Sequence, residues 1–229
     1  VTDAPLEPRA RSAIVRDGLG VGVATGAYGV SFGAVSVAAG LTVAQTCALS
    51  LLVFTGASQF ALVGVVAAGG APVSGALTAL LLGTRNTLYG LRLAPLLAWR
   101  GMRRVLAAHV LIDESTAMSV TRETREAARL GFLVTGVSIF VLWNVATFAG
   151  AVAGNALGDP RRYGLDAAVG AAFLALLWPR LDRRRNRLVA VAAAAVALGI
   201  VPVAAAGVPV LAAAGVALLA GALTREPGR

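Results

Sequence analysis

Seven apolar runs, each close to the length of a membrane crossing, account for most of this chain. They cover roughly residues 18–41, 43–68, 72–98, 130–154, 163–179, 188–203 and 207–223. A helix needs about 20 mainly apolar residues to cross the hydrocarbon of a bilayer. The whole 229-residue sequence is 58% hydrophobic and 14% charged, with a mean hydropathy of +0.79. Soluble domains average roughly 45–50% apolar and about 25% charged. Such a chain in water would have to display the excess on its surface and would aggregate. A soluble enzyme, a disordered chain and a disulfide scaffold are thereby excluded. The runs lack the alternation of lipid-facing barrel strands, so the backbone must satisfy itself within helices. The predicted fold is all-α: a polytopic helical membrane protein.

Charge placement carries the topology. All 20 basic residues are arginine, and the net charge is +9. They gather between the runs, at Arg9–Arg16, Arg100–Arg104, Arg122–Arg129 and Arg180–Arg187. That is the distribution of positive-inside signals rather than of a nucleic-acid face, so no nucleic-acid partner is expected. Two runs separate 122–129 from 180–187, and two more separate that cluster from 225–229. These clusters can therefore share the cytoplasmic side of a bacterial plasma membrane. Three runs separate 9–16 from 100–104, which would place those clusters on opposite sides. Either one early run is broken or re-entrant, or 104–120 dips into the membrane and returns. Broken segments of this kind line transporter sites. The expected organisation is a cytoplasmic tail at 1–17, one helical membrane domain at 18–223 with a charged connector at 99–129, and a tail at 224–229. The apolar run from Gly18 exceeds the 7–15 residues of a signal-peptide core and reads as a retained first span.

Few residues in the runs carry chemistry. Cys47 is the lone cysteine and His109 the lone histidine, so no metal site and no cofactor are expected. In the first run Gly18, Gly22, Gly26, Gly29, Gly33, Ser36 and Gly40 recur at intervals of three and four, on one helix face. Small faces admit close helix packing. The alternative is that Tyr28–Gly33 supplies unwound backbone beside a substrate. In the second run Thr55, Ser58 and Gln59 would share a face, with Gly56 opening the backbone beside them. Either an interhelical hydrogen bond or a binding site accounts for these polar groups. The third run holds Arg85, Asn86, Tyr89 and Arg92. An arginine at mid-span costs about 2.5–3.5 kcal/mol on insertion scales and is a functional candidate unless paired. Asp113 and Glu114, in the connector, are the candidate partners. His109 and Asp113 would meet at i, i+4 on a helix, but no nucleophile–histidine constellation accompanies them. Asp166, four residues after Arg162, reads as interfacial.

At these positions the chain resembles the azaleucine-resistance (AzlC-type) branched-chain amino acid permeases. The matching stretches are Ser31-Phe32-Gly33, Val53-Phe54-Thr55-Gly56-Ala57-Ser58-Gln59-Phe60, Arg85-Asn86-Thr87-Leu88-Tyr89-Gly90, Asp113-Glu114, and Gly164-Leu165-Asp166 with Phe173 and Pro179. The likeness runs from about 17 to 182. It departs at Asn86, where the family more often has histidine. The resemblance implies export of leucine, valine, isoleucine or analogues by the larger subunit of a pair, with a small AzlD-like membrane protein as the second. On that reading Arg85 holds the substrate carboxylate, and Gln59 with exposed carbonyls holds the amine. Phe32 and Phe60 line an apolar pocket, Gly33, Thr55, Gly56, Ser58, Asn86 and Tyr89 complete it, and Asp113 and Glu114 serve coupling or ion pairing. Two other classes stay open: a membrane-embedded enzyme using Asp113 and His109, and an assembly subunit in which Arg85 pairs with a partner helix.

Overall fold

The computed structural model describes residues 5–156, 174, 177, 178, 181–204 and 208–223. The regular elements among them are α-helical, as the hydropathy requires. Two long helical paths form the frame. Helices α1 (Pro8–Gly26) and α2 (Tyr28–Ala38) make a 31-residue path, and α8 (Arg125–Ala156) has 32 residues. At 1.5 Å per residue each exceeds the roughly 30 Å of hydrocarbon. The two run parallel. Arg11 pairs with Glu126 at the start of α8, Gly22 meets Ser138, and Gly154 meets Ala34 and Val37 near the far end.

The glycine stripe is the seam between them. A Cβ on Gly33 would fall on the Thr147 carbonyl, and one on Gly150 would fall on the Val30 carbonyl. Backbone touches backbone there, which only glycine permits. Tyr28–Ala38 is accordingly helix, so the stripe packs as expected and the alternative of unwound backbone at 28–33 does not form. The interruption falls at Ala27, where the Val30 N–H bonds to the Ala27 carbonyl, three residues back instead of four. Residues 8–17, expected as a tail, extend α1, and the Leu6 N–H is tied to Glu126.

The second apolar run does not cross as one helix. It forms α3 (Val43–Leu52) and α4 (Ala57–Ala67), joined by a bend at 53–56 in which Gly56 has φ +62°. Gln59 reaches back to the Leu49 carbonyl and ties the two legs of this re-entrant hairpin at its tip, while α3 packs on α8 and α4 on α5. Helix α5 (Pro72–Leu97) then returns along α4, with Gly75 opposite Leu62 and Gly83 near Ser58. It ends on Ala98, which adopts the left-handed conformation common at helix C-termini.

The charged connector forms a second hairpin, α6 (Met102–His109) and α7 (Asp113–Val120), with its tip at 110–112. Its depth can be read along α8. Trp99 packs on Phe132 and Met118 on Gly131, whereas His109 packs on Phe140 and Val110 on Gly136. The tip therefore reaches the middle of α8, and both legs start from the end where Arg125 and Arg129 lie. Both alternatives raised by the arginine parity hold. The early run is re-entrant, and 104–120 enters the bundle and returns. Arg11, Arg100–Arg104 and Arg122–Arg129 thus share one end. The order is span, hairpin, span, hairpin, with the hairpins entering from opposite ends; this is the pattern of an inverted repeat.

Helices α9 (Arg184–Ile200) and α10 (Val208–Leu223) match the last two apolar runs, and they pack on each other with no buried residue in either. The fifth run at 163–179, with Asp166, Phe173 and Pro179, lies almost wholly outside the described residues.

Candidate functional site

The two hairpin tips meet midway along α5, and Arg85 joins them. Its guanidinium NH1 lies 2.9 Å from Asp113 Oδ2 at the second tip, and NH2 donates to the Thr55 carbonyl of the first at 3.3 Å. The anticipated partner of the mid-span arginine is thus Asp113. Neither side chain is sealed off, at 30% and 28% exposed, because both border a cleft of about 230 Å³. All three long paths and both tips contribute to it. Thr25 and Tyr28 flank the interruption after α1. Phe54, Thr55, Gly56, Ala57 and Phe60 come from the first hairpin, and Ile112, Asp113 and Glu114 from the second. Ile139 and Trp143 come from α8.

Each tip is built by the same local device. At the first, Gln59 Oε1 accepts the Gly56 N–H at 3.2 Å while Nε2 donates to the Leu49 carbonyl at 3.2 Å. At the second, Ser115 Oγ accepts the Ile112 N–H at 3.0 Å and lies 2.9 Å from the Val110 carbonyl as donor. In both, the third residue of the outgoing helix bonds back to the residue preceding the helix. Each cap brings the N-terminus of a helix, α4 or α7, to the cleft with its partial positive charge. Asp113 and Glu114 occupy the first turn of α7 and offset that charge, but α4 has no acidic residue in its first turn.

The apolar wall is aromatic. Phe60 stands edge-on to Phe32 at 5.3 Å and to Trp143 at 6.2 Å between ring centroids. Arg85 Nε and Trp143 Nε1 are buried donors with no acceptor among the described residues. The cleft thus combines donors, a carboxylate pair and a hydrophobic surface.

The expected site residues divide. Thr55, Gly56, Arg85, Asp113 and Glu114 border the cleft together with Phe60. Phe32 stands behind the wall, fully buried, and Gly33 is spent on packing against α8. Thr55 lies in the bend, so it does not share a helix face with Ser58 and Gln59. Gln59 is fully buried and committed to the tip, which removes the expected amine contact. Ser58 is buried beside it, and Asn86 and Tyr89 are half-buried on α5 outside the cleft lining. Sequence reasoning missed Ser115, Ile139 and Trp143. A serine two residues after Asp113 was a visible cap signal, but an aromatic within an apolar run looks the same whether it faces lipid or a site. His109 and Asp113 do not meet at i, i+4: the break at 110–112 puts His109 on an outer groove with Phe140 and Asp113 in the cleft.

The role of Gln59 gives a direct expectation. Gln59→Leu leaves the part-buried Gly56 N–H without its acceptor, at about 1–3 kcal/mol, and takes the second donor from the Leu49 carbonyl, which keeps the Val53 N–H. Its melting temperature in detergent should fall by several degrees. An unchanged melting temperature would show that the tip does not depend on this side chain.

A model of the AzlC protein family matches residues 20–157, which contain both tips, Arg85 and the cleft-lining part of α8. The chain belongs to the AzlC family. This AzlC-family chain is also 32% identical over 170 residues to a protein of Archaeoglobus fulgidus described as an uncharacterized membrane protein, covering 73% of this chain and 74% of that one. No solved structure matches it. The AzlC match ends at the close of α8, so α9 and α10 lie outside it.

Proposed function

We propose that this AzlC-family membrane protein carries a zwitterionic amino acid with a branched apolar side chain through the cleft between the hairpin tips. The observation that carries the reading is the Arg85–Asp113 pair, set against an aromatic wall and open to that cleft. A zwitterion in lipid needs a donor for its carboxylate, an acceptor for its ammonium and an apolar pocket for its side chain. Arg85 and the start of α4, whose first turn has no acidic residue, serve the carboxylate. Asp113, with Glu114 beside it, serves the ammonium in place of Gln59. Phe54, Phe60, Ile112, Ile139 and Trp143 take the side chain. The substrate enters by exchanging one ion pair for two, so no charge is left uncompensated in the membrane.

Direction and assembly follow the resemblance. The protein exports its substrate across a bacterial plasma membrane, with its arginine-rich end cytoplasmic, and works with a small AzlD-like membrane subunit. Helices α9 and α10, which bury no residue, offer surface to such a partner. No cofactor and no catalytic step enter this reading.

Proteoliposomes containing the chain, with and without the small subunit, test it. Leucine flux should exceed that of 4-methyl-2-oxopentanoate and of isoamylamine, each of which lacks one charge, by about tenfold or more, the ratio set by a charge-assisted hydrogen bond. Equal flux of the three compounds would reject a zwitterion site.

A further inference from the structure

A second cavity lies on the outside of the bundle, away from the central cleft. It is an open groove of about 1020 Å³ between α6 and α8, with Trp99 and Arg103 at one end and His109 and Phe140 at the other. Arg103 and every residue from Val105 to Val110 border it, so the C-terminal part of α6 and its cap form one side. No residue of α6 is buried, and Val105 and Leu106 remain largely exposed. The opposite side is α8, through Leu133 and Val137. At 1.5 Å per residue, the groove runs about 10 Å from the level of Leu133 to that of Phe140.

Its two ends differ in chemistry. Trp99 stands at the end of the bundle where the arginines gather, packed edge-on to Phe132 and 5.8 Å beneath the Arg129 guanidinium. Tryptophan at such a level marks the headgroup region of a bilayer. Arg103 at the mouth, with Arg100 and Arg104 next to it, is exposed and makes no ion pair among the described residues. The body of the groove descends beside the middle of α8 and is apolar. A basic mouth above an apolar slot is complementary to a molecule with an anionic head and a hydrocarbon tail.

We propose that this groove is a binding site for an anionic phospholipid, its phosphate held at Arg103 with Arg100 and Arg104, and one acyl chain lying along Leu106, Leu133 and Val137. The site covers the outer leg of the second hairpin, whose inner leg carries Asp113. It is independent of the transport reading, since none of these residues borders the central cleft.

Native mass spectrometry of the purified chain tests the proposal, with phosphatidylglycerol and phosphatidylcholine of matched acyl chains as probes. The wild type should retain phosphatidylglycerol preferentially. Each basic residue near an anionic headgroup is worth about fivefold in occupancy. Arg103→Gln should reduce the preference by about that factor, and R100Q/R103Q/R104Q should bring it near unity while phosphatidylcholine retention stays unchanged. Leu106→Trp, which fills the slot but keeps the charges, should lower retention of both lipids. A photo-crosslinking residue at position 106 should capture lipid. Equal retention of the two lipids by the wild type, or a preference that survives the triple substitution, would overturn the proposal. Capture of polypeptide at position 106 would overturn it in favour of a partner helix in the groove. The unchanged oligomeric state and melting profile expected for R103Q would separate a lost lipid site from a lost fold.

Discussion

Arg85→Ala is expected to lower leucine flux per unit of membrane protein by about tenfold to a hundredfold, the range set by losing a charge-assisted hydrogen bond. Two contacts vanish together: the ion pair to Asp113 and the bond to the Thr55 carbonyl, which link the two hairpin tips to α5. Arg85→Lys should not restore flux, because a point charge on a flexible stem cannot address both tips in one geometry. Membrane abundance separates substrate binding from simple cohesion. Removing Arg85 takes away a counter-charge of Asp113, a part-buried carboxylate, whereas replacing both removes the charge as well. R85A should therefore reduce abundance, and R85A/D113N should recover part of it while flux stays low. Normal flux in R85A, measured per folded molecule, would place the substrate elsewhere and leave Arg85 as a tie between the hairpins.

Gly150→Val should eliminate folded protein. A side chain at position 150 would occupy the space of the Val30 backbone, and one at Gly33 would occupy that of Thr147. Neither neighbour is the end of a flexible side chain, so relief requires α1–α2 to move off α8 over several turns. Overpacking in a core costs about 1–3 kcal/mol when side chains can yield; against a backbone seam the cost lies at or above that upper end. Gly20 provides the control. It lies one residue pair off the stripe with nothing within 4 Å of an added Cβ, so Gly20→Val should accumulate near wild-type level. Monodisperse elution of a detergent-solubilised G150V protein with an unaltered melting temperature would refute the seam.

The same seam shows what a sequence can and cannot convey. The three-and-four spacing of Gly18, Gly22, Gly26, Gly29 and Gly33 marked a face for close approach, and that face meets α8. The spacing carried no information about which helix would arrive, because glycine excludes nothing and many helices present small grooves. The hydropathy likewise marked 72–98 and 130–154 as spans, since a long apolar run in lipid has few options beyond a helix.

The hairpins were legible only as a contradiction. The run at 43–68 is apolar enough to cross, and nothing in its hydropathy distinguishes a span from two half-length legs. The arginine parity demanded a return somewhere, but the spacing of Thr55, Ser58 and Gln59 suits one continuous helix face and so did not mark the bend at 53–56. Gln59 illustrates the remaining limit. Its polarity at mid-run indicated that it must bond to something, since an unsatisfied amide in lipid is costly. Whether the partner was a substrate or the chain's own backbone depended on where α3 ended, and tertiary structure decided for the Gly56 N–H and the Leu49 carbonyl.

Residue order alone dictated the solvent, the helical class and the need to pair Arg85, because these follow from transfer energies that act residue by residue. It took the packing of distant segments to make Asp113 the counter-charge, to set Phe32 behind the wall that Trp143 and Ile139 form, and to turn His109 away. Those outcomes depend on two hairpins entering from opposite ends and stopping at the same depth, a balance of packing between segments far apart in the chain.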